Sequence, residues 1–390
     1  MKKIGVYLEA TPHYGGMFQY DLAILEAVAS LPRENFAIII AYTDPVWLEY
    51  LKPYNLSSVM VQKVGVLVKI LGKLWNITKL PMSWWRKITQ YFHPVAKTLV
   101  PQKCDLWIFP SQDKWSYQVD VPALGTIHDL MHRYERRFPE VADENEYAYR
   151  ERLYSNMCAM TRGVLVDSEV GRQQVHESYG TPLDHIYVLP FVPPTYVYEK
   201  KVPDGFDTRY NLPRKFIFYP AQFWEHKNHV RLIDAINRLR NDLSDIHLVL
   251  VGSKKNGYDK ARQLVETLKL EDHVSFLGYV PNEDMPELYR RARAMVMPTF
   301  FGPTNIPQLE AFVLECPVAT SNVYGIPEQV GDAALLFNPD SVEEIADSIY
   351  RLWTSDELCE ELAKKGKQQV AKWEQKEFNQ KLAGIIEQVV

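Results

Sequence analysis

The 390-residue sequence predicts an α/β protein built from two doubly wound parallel-sheet domains. Three observations carry that prediction. The length exceeds what one hydrophobic core ordinarily serves, and a hydrophobic content of 46% is ample for two cores. Short β-branched runs alternate with apolar-periodic helical stretches, and the alternation starts afresh after a proline-rich break near residues 190–203. The strand-like runs are continuously apolar, as expected of strands covered on both faces.

In chain order, residues 3–8 read as a strand, Pro12 and the Gly15-Gly16 pair punctuate it, and a helix follows from about Met17 to Leu31. Phe36–Tyr42, Asp105–Phe109 and Ala123–Ile127 read as further strands. Pro190, Pro193 and Pro194, followed by a charged stretch through Pro203, suit a stiff interdomain connection. The domains are therefore assigned to residues 1–200 and 201–373, with a helical stretch at about 374–390 crossing back to the first. The second domain reads as strand Phe216–Tyr219, helix Val230–Leu239, strand His247–Val251 closing at Gly252, and helix Lys260–Leu268. Strand Val274–Leu277, helix Met285–Ala292 and strand Ala294–Met297 continue it. Two such domains facing across a cleft gather ligand-binding loops at their strand carboxyl ends, here those bearing Gly15, Gly16, His128, Lys227 and Asn305.

Composition narrows the functional classes. A net charge of -5 lacks the global basicity of a nucleic-acid binder, so no nucleic-acid partner is expected. The four cysteines are far apart and form no CxxC pair, which argues against a disulfide framework or zinc site and for a reducing cytosol. Glu9 interrupts the apolar start before a signal peptide is complete, and no run of about 18 apolar residues follows anywhere. The expectation is a cytoplasmic protein whose membrane contact is peripheral. From Leu51 to Cys104 there are nine Lys or Arg and no Asp or Glu, interleaved with Val64, Leu67, Ile70, Leu74, Trp75, Trp84 and Trp85. Residues of about 63–103 are thus expected to lie on an anionic membrane surface, the competing reading being an ordinary helix with solvated lysines.

The strongest chemical signal is Phe301-Gly302-Pro303-Thr304-Asn305-Ile306-Pro307-Gln308-Leu309-Glu310-Ala311. A Gly/Pro/Thr/Asn loop running into Pro307 and an apolar-periodic segment reads as a helix start, whose free amides suit a diphosphate. Glu310 then stands where it can accept from a ribose diol. An ordinary capped helix with a dipole-favoured glutamate is the alternative.

From Phe216 to about Trp373 the chain resembles the nucleotide-sugar domain of glycosyltransferase family 4, the group 1 enzymes of GT-B fold. The resemblance rests on Tyr219-Pro220-Ala221-Gln222-Phe223-Trp224-Glu225-His226-Lys227-Asn228, Val274–Val280, the helix-start loop with Leu309-Glu310-Ala311, Pro317–Ser321 and Gly325-Ile326-Pro327-Glu328. The first half is only loosely similar, at Gly15-Gly16, His128-Asp129 and Val166–Glu169. By that resemblance Lys227 grips the donor diphosphate, the amide of Ile306 helps from the helix start, and Glu310 holds the ribose. Gly15 and Gly16 approach the diphosphate, while Gly252, Tyr279 and Val280 lie near the base. His128 lies against donor sugar and acceptor, with Asp129 orienting or charging it. Two departures stand out: Gly302 replaces a sugar-holding glutamate, with Thr304 and Asn305 as substitutes, and Ala221 or Gln222 replaces an arginine, with His226 supplying part of the charge.

The resemblance implies retaining transfer from a nucleotide-diphosphate sugar to a saccharide acceptor, lipid-linked in surface polysaccharide assembly such as O-antigen or capsule. It implies no cofactor and no metal. GDP-mannose and UDP- or dTDP-linked sugars remain open as donors. Two other readings stand beside it: a sugar-nucleotide 2-epimerase on the same fold, and a noncatalytic sugar-nucleotide-binding partner of another transferase.

Overall fold

The computed structural model describes residues 1–78 and 80–390. Lys79 and the side chains of Lys69 and Lys73, part of the basic stretch expected on a membrane, lie outside the described residues. By its internal packing the chain divides into two units. The first comprises Met1–Leu130, Tyr147–Pro190 and Gln375–Val390; the second comprises Met131–Glu146 and Phe191–Glu374.

In the first unit, strands β1 (Lys2–Leu8), β2 (Phe36–Tyr42), β3 (Ser57–Met60), β4 (Leu106–Ile108), β5 (Ala123–Thr126), β6 (Gly163–Val166) and β7 (Ile186–Val188) form one sheet in the order β3-β2-β1-β4-β5-β6-β7. Every pairing is parallel, for example Ile4 opposite Ile38 and Leu106. The central strands β4, β5 and β6 are buried along their whole length, because helices cover both faces of a doubly wound sheet. Tyr7, Trp107 and Phe109 fill one side of the core. The helix Gln375–Val389 packs on the helix Gly16–Ala29, where Gln375 Nε2 donates to the Ala23 carbonyl at 3.0 Å and Phe378 meets the Tyr20 ring edge-on.

The second unit repeats the plan with β8 (Ile217–Pro220), β9 (Leu248–Val251), β10 (Val274–Gly278), β11 (Ala294–Met297), β12 (Val318–Ser321) and β13 (Ala334–Phe337), in the order β10-β9-β8-β11-β12-β13 and again all parallel. Phe216, Phe218, Phe223 and Tyr289 anchor its core. The segment Met131–Glu146, expected within the first domain, packs here instead. Phe138 and Val141 are buried against Phe300 and Phe301, with the Phe138 and Phe300 rings 5.2 Å apart.

The basic stretch folds as helices Val66–Thr78 and Met82–Thr89 on the first unit. Val66, Leu67, Ile70, Leu74 and Trp84 are exposed, as are Lys63, Lys87 and Lys97. Two expected surface groups are not on the surface. Trp85 is buried against Trp75 and Phe92, and Arg86 spends its guanidinium on Asp120 and the carbonyls of Val121 and Met160. Among the described residues no helix is long and apolar enough to cross a membrane.

Candidate functional site

In the second sheet the chain winds away from β8 toward β9 on one side and from β11 toward β12 on the other, so the carboxyl ends of β8 and β11 flank the switch point. A parallel sheet leaves its ligand crevice there, because the two connections part in opposite directions. The two loops leaving these ends are residues 221–228 and 298–305. They are stitched together: the Phe300 N–H donates to the His226 carbonyl at 2.8 Å, and Asn228 Nδ2 donates to the Pro298 carbonyl at 2.9 Å. Lys227 closes a short 3-10 turn, Glu225–Lys227, and its ammonium donates to Asn305 Oδ1 at 3.2 Å. The lysine and the helix start predicted from sequence therefore meet at one place.

Asn305 is the N-cap of helix Ile306–Val313, yet its side chain does not cap. It turns toward Lys227, while its backbone N–H donates to Gln329 Oε1 at 3.0 Å and its carbonyl accepts from Gln329 Nε2 at 2.8 Å. The first helical amides thus receive nothing from the cap residue, which leaves them for an anion. Asn305 Nδ2 is buried with no partner among the described residues, an orphan donor beside a cation. Gly302 makes this arrangement possible. Its φ is +135°, and a β-carbon there would stand 2.7 Å from Asn305 Nδ2. The space vacated by the missing side chain at 302 is the space Asn305 occupies, and Thr304 beside it is likewise buried.

Glu310 lies one turn further along and is buried. Tyr196 donates to its Oε1 and Tyr289 to its Oε2, the latter at 2.6 Å. Burial raises its pKa, and the two hydroxyls oppose that shift. Each carboxylate oxygen keeps a second lone pair, so a ribose diol would add to these bonds rather than begin them. Neither tyrosine carried a sequence signal: Tyr196 follows the Pro193-Pro194 pair read as linker, and Tyr289 sits mid-helix as an apparent core residue.

Several predicted residues are committed elsewhere. His226 Nδ1 and its backbone N–H both engage Glu140 Oε1, at 3.1 and 3.3 Å, and His226 is thereby tied to the segment Met131–Glu146. Burial raises the Glu140 pKa, and the hydrogen bonds from His226 outweigh it, so the carboxyl sits below its ordinary value. Gln222 accepts from Trp224 Nε1 at 3.0 Å. At Gly252, φ is +152° and a β-carbon would stand 2.1 Å from the Ala221 carbonyl oxygen, so the glycine is required by the close approach of two chain segments whatever lies near it. Val280 is buried in the core and Tyr279 beside it is exposed.

In the first unit, Gly15 has φ +59° between a 3-10 turn and the helix beginning at Gly16. His128 follows β5; its Nε2 lies 3.0 Å from the Pro110 carbonyl, and its ring meets Tyr20 edge-on. A carbonyl only accepts, so Nε2 carries the proton. Burial brings the His128 pKa down to about 4, against a smaller upward pull from Asp129. The expectation that Asp129 charges it is therefore not met at neutral pH. Asp129 itself pairs with Arg150 at 3.0 Å.

Residues 205–369 match one family model, described as Glycosyl transferases group 1. Among curated proteins, the O-antigen chain mannosyltransferase B of Escherichia coli is 28% identical over 238 residues, covering 60% of this chain and 62% of its own length. Mannosylfructose-phosphate synthase of Agrobacterium fabrum is 26% identical over 277 residues, 64% of this chain and 60% of its own. The chain thus spans about three fifths of the length of these two relatives. The O-antigen chain mannosyltransferase RfbU of Salmonella typhimurium is 27% identical over 352 residues, covering 86% of this chain and 89% of its own. Among solved structures, Anabaena Alr3699/HepE in complex with UDP-glucose superposes with a TM-score of 0.74 at 16% identity, each chain wholly covered. WaaG, a glycosyltransferase involved in lipopolysaccharide biosynthesis, gives 0.69 at 17%, covering 98% of this chain and 99% of that one. The fold is accordingly that of these GT-B glycosyltransferases: two parallel-sheet α/β units.

Proposed function

We propose that the protein is a retaining glycosyltransferase that moves a sugar from a nucleotide-diphosphate donor to a saccharide acceptor in surface polysaccharide assembly. The observation that carries this reading is the contact of the Lys227 ammonium with Asn305 at the start of helix Ile306–Val313. A cation and a helix amino end at one switch point form a preorganised positive site for a pyrophosphate, and charge developing on that leaving group is where such a site contributes most. Glu310, steadied by Tyr196 and Tyr289, takes the ribose. The glycosidic bond of the donor breaks as its electrons pass to the diphosphate, and the acceptor hydroxyl attacks the oxocarbenium-like carbon from the same face, losing its proton to the departing phosphate oxygen. No protein nucleophile and no metal enter this scheme. The match to the group 1 family model and to O-antigen mannosyltransferases supports a mannose-bearing donor as the first to test.

The test is turnover of Lys227→Ala with a panel of GDP-, UDP- and dTDP-sugars. Loss of one preorganised electrostatic contact predicts a fall in kcat of roughly 10²- to 10³-fold. Near-normal turnover in a folded variant would refute the assignment.

The reading extends to location: the protein sits on the cytoplasmic face of the membrane, docked through residues of about 63–103. Exposed Leu67, Ile70, Leu74 and Trp84, with exposed Lys63, Lys87 and Lys97, support it. Sedimentation with anionic liposomes should fall when Leu67, Ile70 and Trp84 are changed to Ser; unchanged sedimentation refutes docking through this stretch.

A further inference from the structure

We propose that the second unit carries an orthophosphate-binding site, set between the starts of helices His229–Leu239 and Tyr258–Leu268. It stands apart from the candidate donor site: Lys227, Asn305 and Glu310 are not among the residues that line it.

The cavity measures about 250 Å³. That is below the roughly 300–1,000 Å³ of sites for drug-sized molecules, so its occupant is small. Neither helix start is capped by a side chain. Asn228, ahead of the first, spends its amide nitrogen on the carbonyls of Pro298 and Pro339, at 2.9 and 2.8 Å, and Gly257, ahead of the second, has no side chain to offer. Both helix starts border the cavity, so two sets of open amides and two positive dipole ends meet at one space.

Side chains add to that field. Arg137 and Arg231 line the cavity, their guanidinium carbons 4.4 and 5.0 Å from the centre of the Phe300 ring. They share a single carboxylate oxygen, Asp340 Oδ1, at 3.5 and 3.2 Å. Lys260, exposed at the rim, is a third cation, and Glu225 is the carboxylate in the wall. Three cations thus stand against two carboxylates before the helix ends are counted, and an anion completes the balance.

His229 selects among anions. It is buried and lines the cavity, and its Nε2 has no partner among the described residues. Burial brings its pKa down to about 3, against the upward pull of a hydrogen bond to the Ala221 backbone. The ring is therefore neutral at pH 7. A carbonyl only accepts, so Nδ1 carries the proton and Nε2 keeps a bare lone pair. That lone pair calls for a ligand O–H. Orthophosphate near neutral pH retains one to donate, whereas sulfate and the dianion of a phosphate monoester retain none.

The test is calorimetry on the full-length chain at about pH 8 with orthophosphate, sulfate and methyl phosphate. Orthophosphate should bind at one site, at least tenfold more tightly than either of the others. Lys260→Glu, at an exposed position that tolerates change, should weaken it at least tenfold, and His229→Phe should erase the preference over sulfate. Lys227→Ala should bind orthophosphate as the wild type does. Absence of orthophosphate binding, equal affinity for sulfate or methyl phosphate, or indifference to Lys260→Glu overturns the inference. Binding lost in Lys227→Ala overturns it too, because the anion then sits in the donor site.

Discussion

Replacing Asn305 by Asp changes one atom type and one charge at the contact that defines the candidate donor site. The residue is 8% exposed, its Oδ1 lies 3.2 Å from the Lys227 ammonium, and the variant needs no new space. An aspartate would convert that hydrogen bond into an ion pair and complete the lysine's charge from within the protein. A diphosphate would then meet a neutralised cation and an added anion. At a separation of about 6 Å and an effective dielectric constant near 20, one unit of added charge costs about 2.8 kcal/mol per phosphate charge. That is roughly a hundredfold in affinity, or about tenfold if solvent at the crevice screens half of it. Folding stability should hold or rise, so a weaker variant cannot be dismissed as unfolded. Calorimetry with GDP and UDP on the wild type and Asn305→Asp reads the effect directly. Affinities within twofold of each other would refute the claim that Lys227 and Asn305 face the diphosphate.

Other substitutions probe the same framework. Gly302→Ala would force a β-carbon to within 2.7 Å of Asn305 Nδ2 at φ +135°; strain of about 1–3 kcal/mol and a displaced Asn305 should lower both the melting temperature and nucleotide affinity, and an unaffected affinity would show that Asn305 owes nothing to the glycine. Gly252→Ala meets a carbonyl at 2.1 Å and should cost about 3 kcal/mol or more in urea denaturation, whatever its effect on binding. Burial pushes the Asp21 carboxyl up to about 8, against a hydrogen bond from Ser111. A raised acid contributes stability at low pH that is lost as pH climbs through about 8. Asp21→Asn should therefore be more stable than wild type at pH 8, by about 1 kcal/mol or more, with the gap closing toward pH 4. Burial lowers His93 and His128 to about 4 and His229 to about 3. Their unfolded forms take up protons first, so stability is present above about 6.5 and drains away as pH falls toward 3–4; a urea midpoint flat across that window would contradict the buried, neutral assignment.

Sequence periodicity located what periodicity encodes. The strands at 36–42 and 294–297 coincide with their predicted spans, and the helix start at Ile306 follows from Pro307 and the Asn305 loop. Strands β3, β6, β7, β12 and β13 were not anticipated; the edge strands β3, β7 and β13 are short and partly exposed, which dilutes their apolar signal, whereas β6 and β12 are buried throughout. Lys227 and Asn305 were legible as residue types, and their meeting followed from strand order. What could not be read was which atoms pair. Nothing in the order of letters says that Glu310 is gripped by a tyrosine from an apparent linker, or that His226 spends its imidazole on Glu140, since both depend on long-range packing. The run of lysines and tryptophans likewise looked uniform, yet Trp85 and Arg86 went inward while Trp84 stayed out.

The backbone passes from one packed unit to the other at 130/131, 146/147, 190/191 and 374/375. Neither unit is therefore a contiguous stretch of gene. A fragment cut at 191–374 would leave Phe300 and Phe301 without Phe138 and Val141, and His226 without Glu140. Grafting residues 131–146 onto that fragment is the minimum for an isolated second unit, and shuffling halves between relatives must carry this short segment along with the far end of the chain.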